Sequence, residues 1–222
     1  MDKLSHSQLA WRVAQDIHDG AYVNLGIGLP ELVAQHPRPG HTIIFHSENG
    51  VLNFGEAPPE NQRDWDLINA GKKPITINPG ASFFDHAHSF AMVRGGHLDL
   101  AVLGAFQVAC NGDLANWRTE RNAVPAVGGA MDLVCGTKRV VVITEHLTKD
   151  GAPKLVEQCS FPLTGIRCVS RVYTNLAVID VVESRFVLRE KLPSMTIEDL
   201  QRRTGAPLEL DGPVDDLVAP PD

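Results

Sequence analysis

Two stretches of this chain, Val140-Val-Val-Ile-Thr144 and Leu176-Ala-Val-Ile-Asp-Val-Val182, are almost unbroken apolar and largely β-branched. Strands of that kind have no polar face to show water, so they belong inside a sheet covered on both sides. Shorter runs at residues 21–26, 42–46, 75–78 and 100–103 read as further strands. Helical patterns alternate with them. Ser5-His-Ser-Gln8 has capping-box spacing, Leu9, Val13 and Ile17 recur at helical intervals and Gly20 follows, which predicts an amphipathic helix over residues 6–19. Residues 83–92 and 196–204 read as two more helices, the second capped by Thr196 and followed by Gly205. The expected class is α/β, an open mixed, mainly parallel sheet flanked by helices, in one domain over residues 1–210. Residues 211–222, with three prolines and four aspartates, are expected to form a disordered tail.

At 222 residues and 43% hydrophobic, the chain can bury one sizeable core. Its formal charge of −7 argues against nucleic acid or an anionic membrane surface as the main partner, so an anionic ligand must be met by a local site. Met1-Asp2-Lys3-Leu4-Ser5-His6 has no apolar leader core and no run approaches a membrane span, from which a cytoplasmic location is expected. Cys110, Cys135, Cys159 and Cys168 are scattered without a CxxC pair and are expected to be reduced packing residues. Asp85, His86 and His88 match metal-ligand spacing only loosely, and no metal is expected.

Chemistry has few places to reside. Phe45-His46-Ser47-Glu48-Asn49-Gly50 ends a strand with one carboxylate and a turn dipeptide that tolerates positive φ. Ligands of open α/β sheets bind at the carboxyl ends of strands, so Glu48 is a candidate for chemistry, and a turn glutamate facing water is the alternative. Asn49 either orients that carboxylate or fills the turn. Residues 53–64 form a surface loop placed to cover the site. Gly26-Ile-Gly28-Leu-Pro30 leads a strand into a helix, yet it lacks both the third glycine of a dinucleotide fingerprint and the GK[ST] of a phosphate loop. Gly26 and Gly28 therefore serve ligand approach or a tight turn. Gly128-Gly129-Ala130 carries the same two readings. Asn24, in an apolar strand, needs a partner for its amide. His46 shares a strand face with Glu48 and suits packing or orientation.

Seven segments occur in an order that matches a known family: Gly26-Ile-Gly-Leu-Pro30, Ser47-Glu-Asn-Gly50, Asp66-Leu-Ile-Asn-Ala-Gly71, Arg94-Gly-Gly-His-Leu-Asp99, Gly112-Asp-Leu-Ala-Asn-Trp117, Gly128-Gly-Ala-Met-Asp-Leu133 and Pro162-Leu-Thr-Gly165. Over roughly residues 5–210 the chain resembles the B subunits of the two-subunit 3-oxoacid CoA-transferases, family I. His46-Ser47-Glu48, Gly104-Ala-Phe-Gln107 and His146-Leu147-Thr148 lie nearest the 3-oxoadipate:succinyl-CoA enzymes and a little further from the acetoacetate enzymes. The resemblance implies that Glu48 is the nucleophile, forming a glutamyl-CoA thioester, and that Gly129 donates its N–H to the oxyanion. It places Gly26, Gly28, Asn49 and Gly128 near substrate or CoA. It implies coenzyme A as substrate with no cofactor, and a CoA-transferase A subunit as partner in a heterotetramer of two A and two B.

A non-catalytic CoA-transferase-like binding subunit is the alternative from another class. The sugar-phosphate isomerases of the same superfamily would need a phosphate cradle, which is not found. Asn116 and Trp117 fit a site wall or the core, and Glu145 and His146 lie near CoA by position alone. A dicarboxylic acceptor calls for a cation, for which Arg94, Arg118 and Arg121 are the candidates.

Overall fold

The structure, a computed structural model, describes residues 3–119 and 126–220. Helix α1 (His6–Gln15) opens on the expected cap: Ser5 Oγ accepts from the Gln8 amide at 3.1 Å, and Gln8 Oε1 accepts from the Ser5 amide at 3.0 Å. Its inner face buries Leu9, Ala10, Val13 and Ala14. The helix stops at Gln15 rather than residue 19; its C-cap Asp16, still in the αR region, accepts from Arg171 Nη1 and the Tyr173 hydroxyl.

Strands β1 (Tyr22–Leu25), β2 (Ile44–Ser47), β3 (Val51–Phe54) and β4 (Ile77–Phe83) come before helix α2 (His86–Arg94). They are followed by β5 (Leu100–Leu103), β6 (Gln107–Ala109), β7 (Leu114–Ala115), α3 (Ala130–Gly136), β8 (Val140–Thr144) and β9 (Leu155–Val156). The chain closes with β10 (Val169–Thr174), β11 (Ala177–Val182), β12 (Arg185–Lys191), α4 (Ile197–Gln201), β13 (Leu208–Glu209) and β14 (Asp215–Asp216). The large sheet runs in the order β13-β12-β11-β10-β8-β5-β1-β2-β3-β4, with β14 also on β12; β7-β6-β9 form a second sheet.

The pairings β2-β1-β5-β8-β10 are all parallel. This is the α/β, mainly parallel arrangement that the sequence predicts, and within it β8 is buried at every position as its apolar run requires. Antiparallel wings complete the sheet, β3 and β4 beyond β2, and β11 and β12 beyond β10. Asp180, the one charge within the β11 run, takes Arg171 Nε from β10 at 2.5 Å and Arg189 Nε from β12 at 2.8 Å. One buried cluster extends from Leu4 to Leu217.

Four local expectations are corrected. The strand at 75–78 begins at Ile77 and continues to Phe83 as the sheet edge, where Pro79 costs no ladder bond. The helix expected from residue 83 therefore starts at His86, after Asp85 accepts from the His88 amide at 2.9 Å. Residues 211–220 are docked rather than disordered: the Leu217 amide donates to Lys191 O at 2.7 Å, and Leu217 is buried in the core. Val214, Leu217 and Ala219 give this proline- and aspartate-rich segment enough apolar contact to hold it. All four cysteines are free, and Cys135, expected to pack, is exposed. No helix among the described residues is long and apolar enough to cross a membrane.

Candidate active site

Glu48 occupies the turn between β2 and β3, where Ser47 pairs with Val51 and the Gly50 amide donates to Ser47 O at 3.0 Å. Gly50 has φ +117°, and a Cβ there would sit 2.0 Å from Phe84 O, so conformation and space both demand glycine. β2 lies in the parallel part of the sheet, which puts Glu48 at the carboxyl edge. Two further bonds tie the turn to the loop carrying Asp66-Leu-Ile-Asn-Ala-Gly71: Asn49 Nδ2 to Ile68 O at 2.8 Å, and the Ala70 amide to Ser47 Oγ at 2.9 Å.

The Glu48 carboxylate faces a cavity of about 510 Å³ whose wall includes Gly26, Leu103, Phe106, Trp117, Gly128 and Gly129. Among the described residues it has no hydrogen bond or ion pair. Burial raises its pKa, the charge of His86 opposes that and Asp132 reinforces it, with a net shift upward. Gly129, at the start of α3, is beside it. A Cβ on Gly129 would lie 3.0 Å from Glu48 Oε2 and 2.3 Å from Cζ of the buried Phe90, so space rather than backbone conformation requires glycine here. Gly128 has φ +56° and open space around it, so its demand is conformational.

Behind the turn, His46 is fully buried and bridges three elements: its Nδ1 meets Asn24 Nδ2 at 3.0 Å and its Nε2 meets Ser89 Oγ at 3.0 Å. The ring also stacks on Phe84, with centroids 6.0 Å apart. Burial lowers its pKa to about 4, so it is a neutral positioning residue. Asn24 Nδ2 thus finds partners in His46 Nδ1 and, at 3.3 Å, in His46 O, while its buried Oδ1 has none among the described residues.

A model of the coenzyme A transferase family matches residues 6–203. The chain belongs to that family. Relatives include the B subunit of the 3-oxoadipate CoA-transferase of Acinetobacter baylyi, 54% identical over 93% of this chain and 95% of its own. The B subunit of a probable succinyl-CoA:3-ketoacid coenzyme A transferase of Bacillus subtilis is 50% identical over 92% of this chain and 94% of its own. In fold, the crystal structure of the acyl-CoA transferase YdiF from Escherichia coli O157:H7 superposes with a TM-score of 0.75 at 18% identity, covering 97% of this chain and 44% of that one.

Of the residues singled out in the sequence, Glu48, Gly26, Gly128 and Gly129 share one cavity wall. Gly28 and Asn49 do not line it. The Gly28 amide, at φ +94°, donates to Glu31 Oε2 at 2.9 Å, and Asn49 is spent on Ile68. Glu31, which sequence reasoning passed over, is a buried carboxylate that also takes Lys73 Nζ at 2.9 Å, and it packs so closely on Gly71 that a Cβ there would lie 2.0 Å from Oε1. The loop at 53–64 does not cover the site; Asn53, Phe54, Glu56 and Pro59 line a separate cavity.

Asn116 and Trp117 are both wall and packing: they line the cavity while Asn116 Nδ2 donates to Gly104 O at 3.1 Å and Trp117 Nε1 to Leu163 O at 3.3 Å. Glu145 is on the wall, and His146 is buried behind it between the Thr174 and Thr204 hydroxyls, each at 3.0 Å. Arg94 lies off the cavity on Asp132 at 2.7 Å, Arg118 is exposed, and Arg121 is outside the described residues. Asp85 and His88 bond each other and His86 stacks on Phe90, with centroids 4.8 Å apart. Among the described residues no three metal-ligating side chains group to hold an ion. Lys154, unremarked in the sequence, lines the cavity.

Proposed function

We propose that this chain is the B subunit of a succinyl-CoA:3-oxoacid CoA-transferase, with 3-oxoadipate as the preferred acceptor, and that Glu48 carries CoA as a thioester. The observation that carries the reading is the Glu48 carboxylate itself, half-buried, unpartnered among the described residues and set against Gly129 in an apolar cavity. A carboxylate without hydrogen-bond donors keeps its nucleophilicity, and burial raises its basicity.

The steps balance between carboxylates and one thiol. Glu48 attacks the thioester carbonyl of succinyl-CoA, and the resulting oxyanion is met by a preorganised backbone N–H, for which Gly129 is the candidate. The CoA thiolate leaves, giving a mixed anhydride of Glu48 and succinate. The thiolate then attacks the Glu48 carbonyl carbon and expels succinate, leaving the glutamyl-CoA thioester. The 3-oxoacid carboxylate reverses the sequence and departs as its CoA ester. Coenzyme A is substrate throughout, and the scheme calls for no further cofactor.

The 3-oxoadipate preference is supported by the name of the Acinetobacter baylyi relative, and pairing with an A subunit by the B-subunit names of both relatives. Two A and two B chains would make the working assembly. A panel of 3-oxoacids assayed against succinyl-CoA, with the paired subunit present, tests the reading. It predicts kcat/KM highest for 3-oxoadipate, lower for acetoacetate, and negligible turnover by this chain alone. Ordinary enzyme rates without a partner, or no transfer to any 3-oxoacid, would contradict it.

A further inference from the structure

Lys154 is the one lysine or arginine on the cavity wall among the described residues. Its backbone is fixed from both sides, since its amide donates to His146 O at 3.1 Å and its carbonyl accepts from the Val108 amide at 2.9 Å. Its Nζ donates to Thr144 Oγ1 at 2.9 Å and to Ala105 O at 3.3 Å, both neutral acceptors. An ammonium has three N–H groups, so one remains to be directed into the cavity. Glu145, the acid whose charge acts on Lys154, is already held by His6 Nε2 at 2.8 Å and Lys3 Nζ at 3.2 Å. Lys154 is thus a half-buried cation without a carboxylate of its own. Ile143 and Phe106, chain neighbours of its two acceptors, are also on the wall, and Ile143 is fully buried.

From this arrangement we infer that Lys154 binds the distal carboxylate of a dicarboxylic substrate and so sets the preference for dicarboxylic over monocarboxylic acids. The inference rests on the transferase reading above and deepens it. A second carboxylate entering a cavity that already holds Glu48 and Glu145 needs a counter-charge, and Lys154 is positioned to supply it.

The test uses the assembled enzyme with its partner chain. The glutamyl-CoA form is loaded with excess succinyl-CoA and desalted, and its discharge by 3-oxoadipate, succinate and acetoacetate is followed. For Lys154→Met and, as a second variant, Lys154→Gln, the ratio of kcat/KM for 3-oxoadipate over acetoacetate should fall about 10- to 100-fold, the size of a lost hydrogen bond to a charged group, chiefly through KM. Lys154→Arg should recover much of the ratio. An unchanged ratio in both neutral variants, or a loss appearing only in the affinity for free CoA, overturns the assignment. If the wild-type enzyme forms no glutamyl-CoA, the transferase reading fails first and the inference goes with it.

Discussion

Glu48 and Glu145 are the same residue type, stand at the carboxyl ends of strands of one sheet and line one cavity, yet their surroundings drive them apart. Burial pushes the Glu145 carboxyl up, but hydrogen bonds from His6 and Lys3 outweigh it and hold the group below the ordinary value. Asn175 Nδ2 adds a third donor. Glu48 has the burial without the donors, and its pKa is raised. A carboxylate saturated with donors is a structural anchor, because its lone pairs are spent. One left bare beside a glycine is free to react. The position of a carboxylate at a strand end is therefore not enough to assign a role; what distinguishes these two is the set of donors around them.

The largest separation should come from isosteric replacement. Glu48→Gln should lower kcat by more than about 10³-fold, as expected when a covalent nucleophile is removed, whereas Glu145→Gln should cost less than about tenfold. Steady-state assays of the two assembled variants decide this, and equal losses would break the contrast. Next in size, Gly129→Ala or Gly129→Val should cost about 10²- to 10³-fold in kcat, because a Cβ there displaces Phe90 and crowds Glu48. Assembly with the partner chain should persist, and full activity in an assembled variant would reduce Gly129 to a turn residue.

A smaller effect lies in the pH profile. If Glu48 is the nucleophile it must react as the anion, and because its pKa is raised the acid limb of kcat/KM should lie above pH 4.5, with activity lost as pH falls through it. Asp132→Asn removes a charge that raises this pKa and should shift the limb to lower pH; replacing His86 should shift it the other way. Smallest per group is a stability effect shared by both sides of the sheet edge. Burial holds His46 and His146 near 4 against the ordinary 6.5, with the Arg203 charge adding to it at His146. The unfolded chain takes up those protons below about 6.5 while the folded chain resists until about 4. Stability is thus fully present above pH 6.5 and declines toward pH 4, by up to about 1.4 kcal/mol per pH unit for each histidine. Denaturant midpoints across that window should slope accordingly, and His146→Gln should flatten the slope.

The elements most legible in the sequence are those whose signal is local. β8 and β11 announce themselves as apolar runs, and the α1 cap and the Glu48 turn sit where Ser5-x-x-Gln8 and Asn49-Gly50 put them. What stayed hidden depends on partners distant in the chain. β4 is extended by pairing with β3, the tail is docked through Lys191, and Glu31 is buried where Gly71 and Lys73 return to it. Lys154 gives no local sign of facing the cavity, since what places it there is a turn running back from His146 and a ladder bond from Val108. The equivalence of Glu48 and Glu145 at the level of strand ends could be read from sequence; their difference required the positions of Lys3 and His6.

The claim that Glu48 is the covalent nucleophile and Glu145 is not can be met directly by trapping. Assembled enzyme is incubated with succinyl-CoA and no acceptor, treated with borohydride or digested rapidly, and the peptides are analysed by mass spectrometry. The account predicts modification of the peptide containing Glu48, reversed by adding a 3-oxoacid before trapping, with the Glu145 peptide unmodified. Label on any residue other than Glu48, or strictly sequential kinetics with no exchange between succinyl-CoA and free succinate, would contradict it.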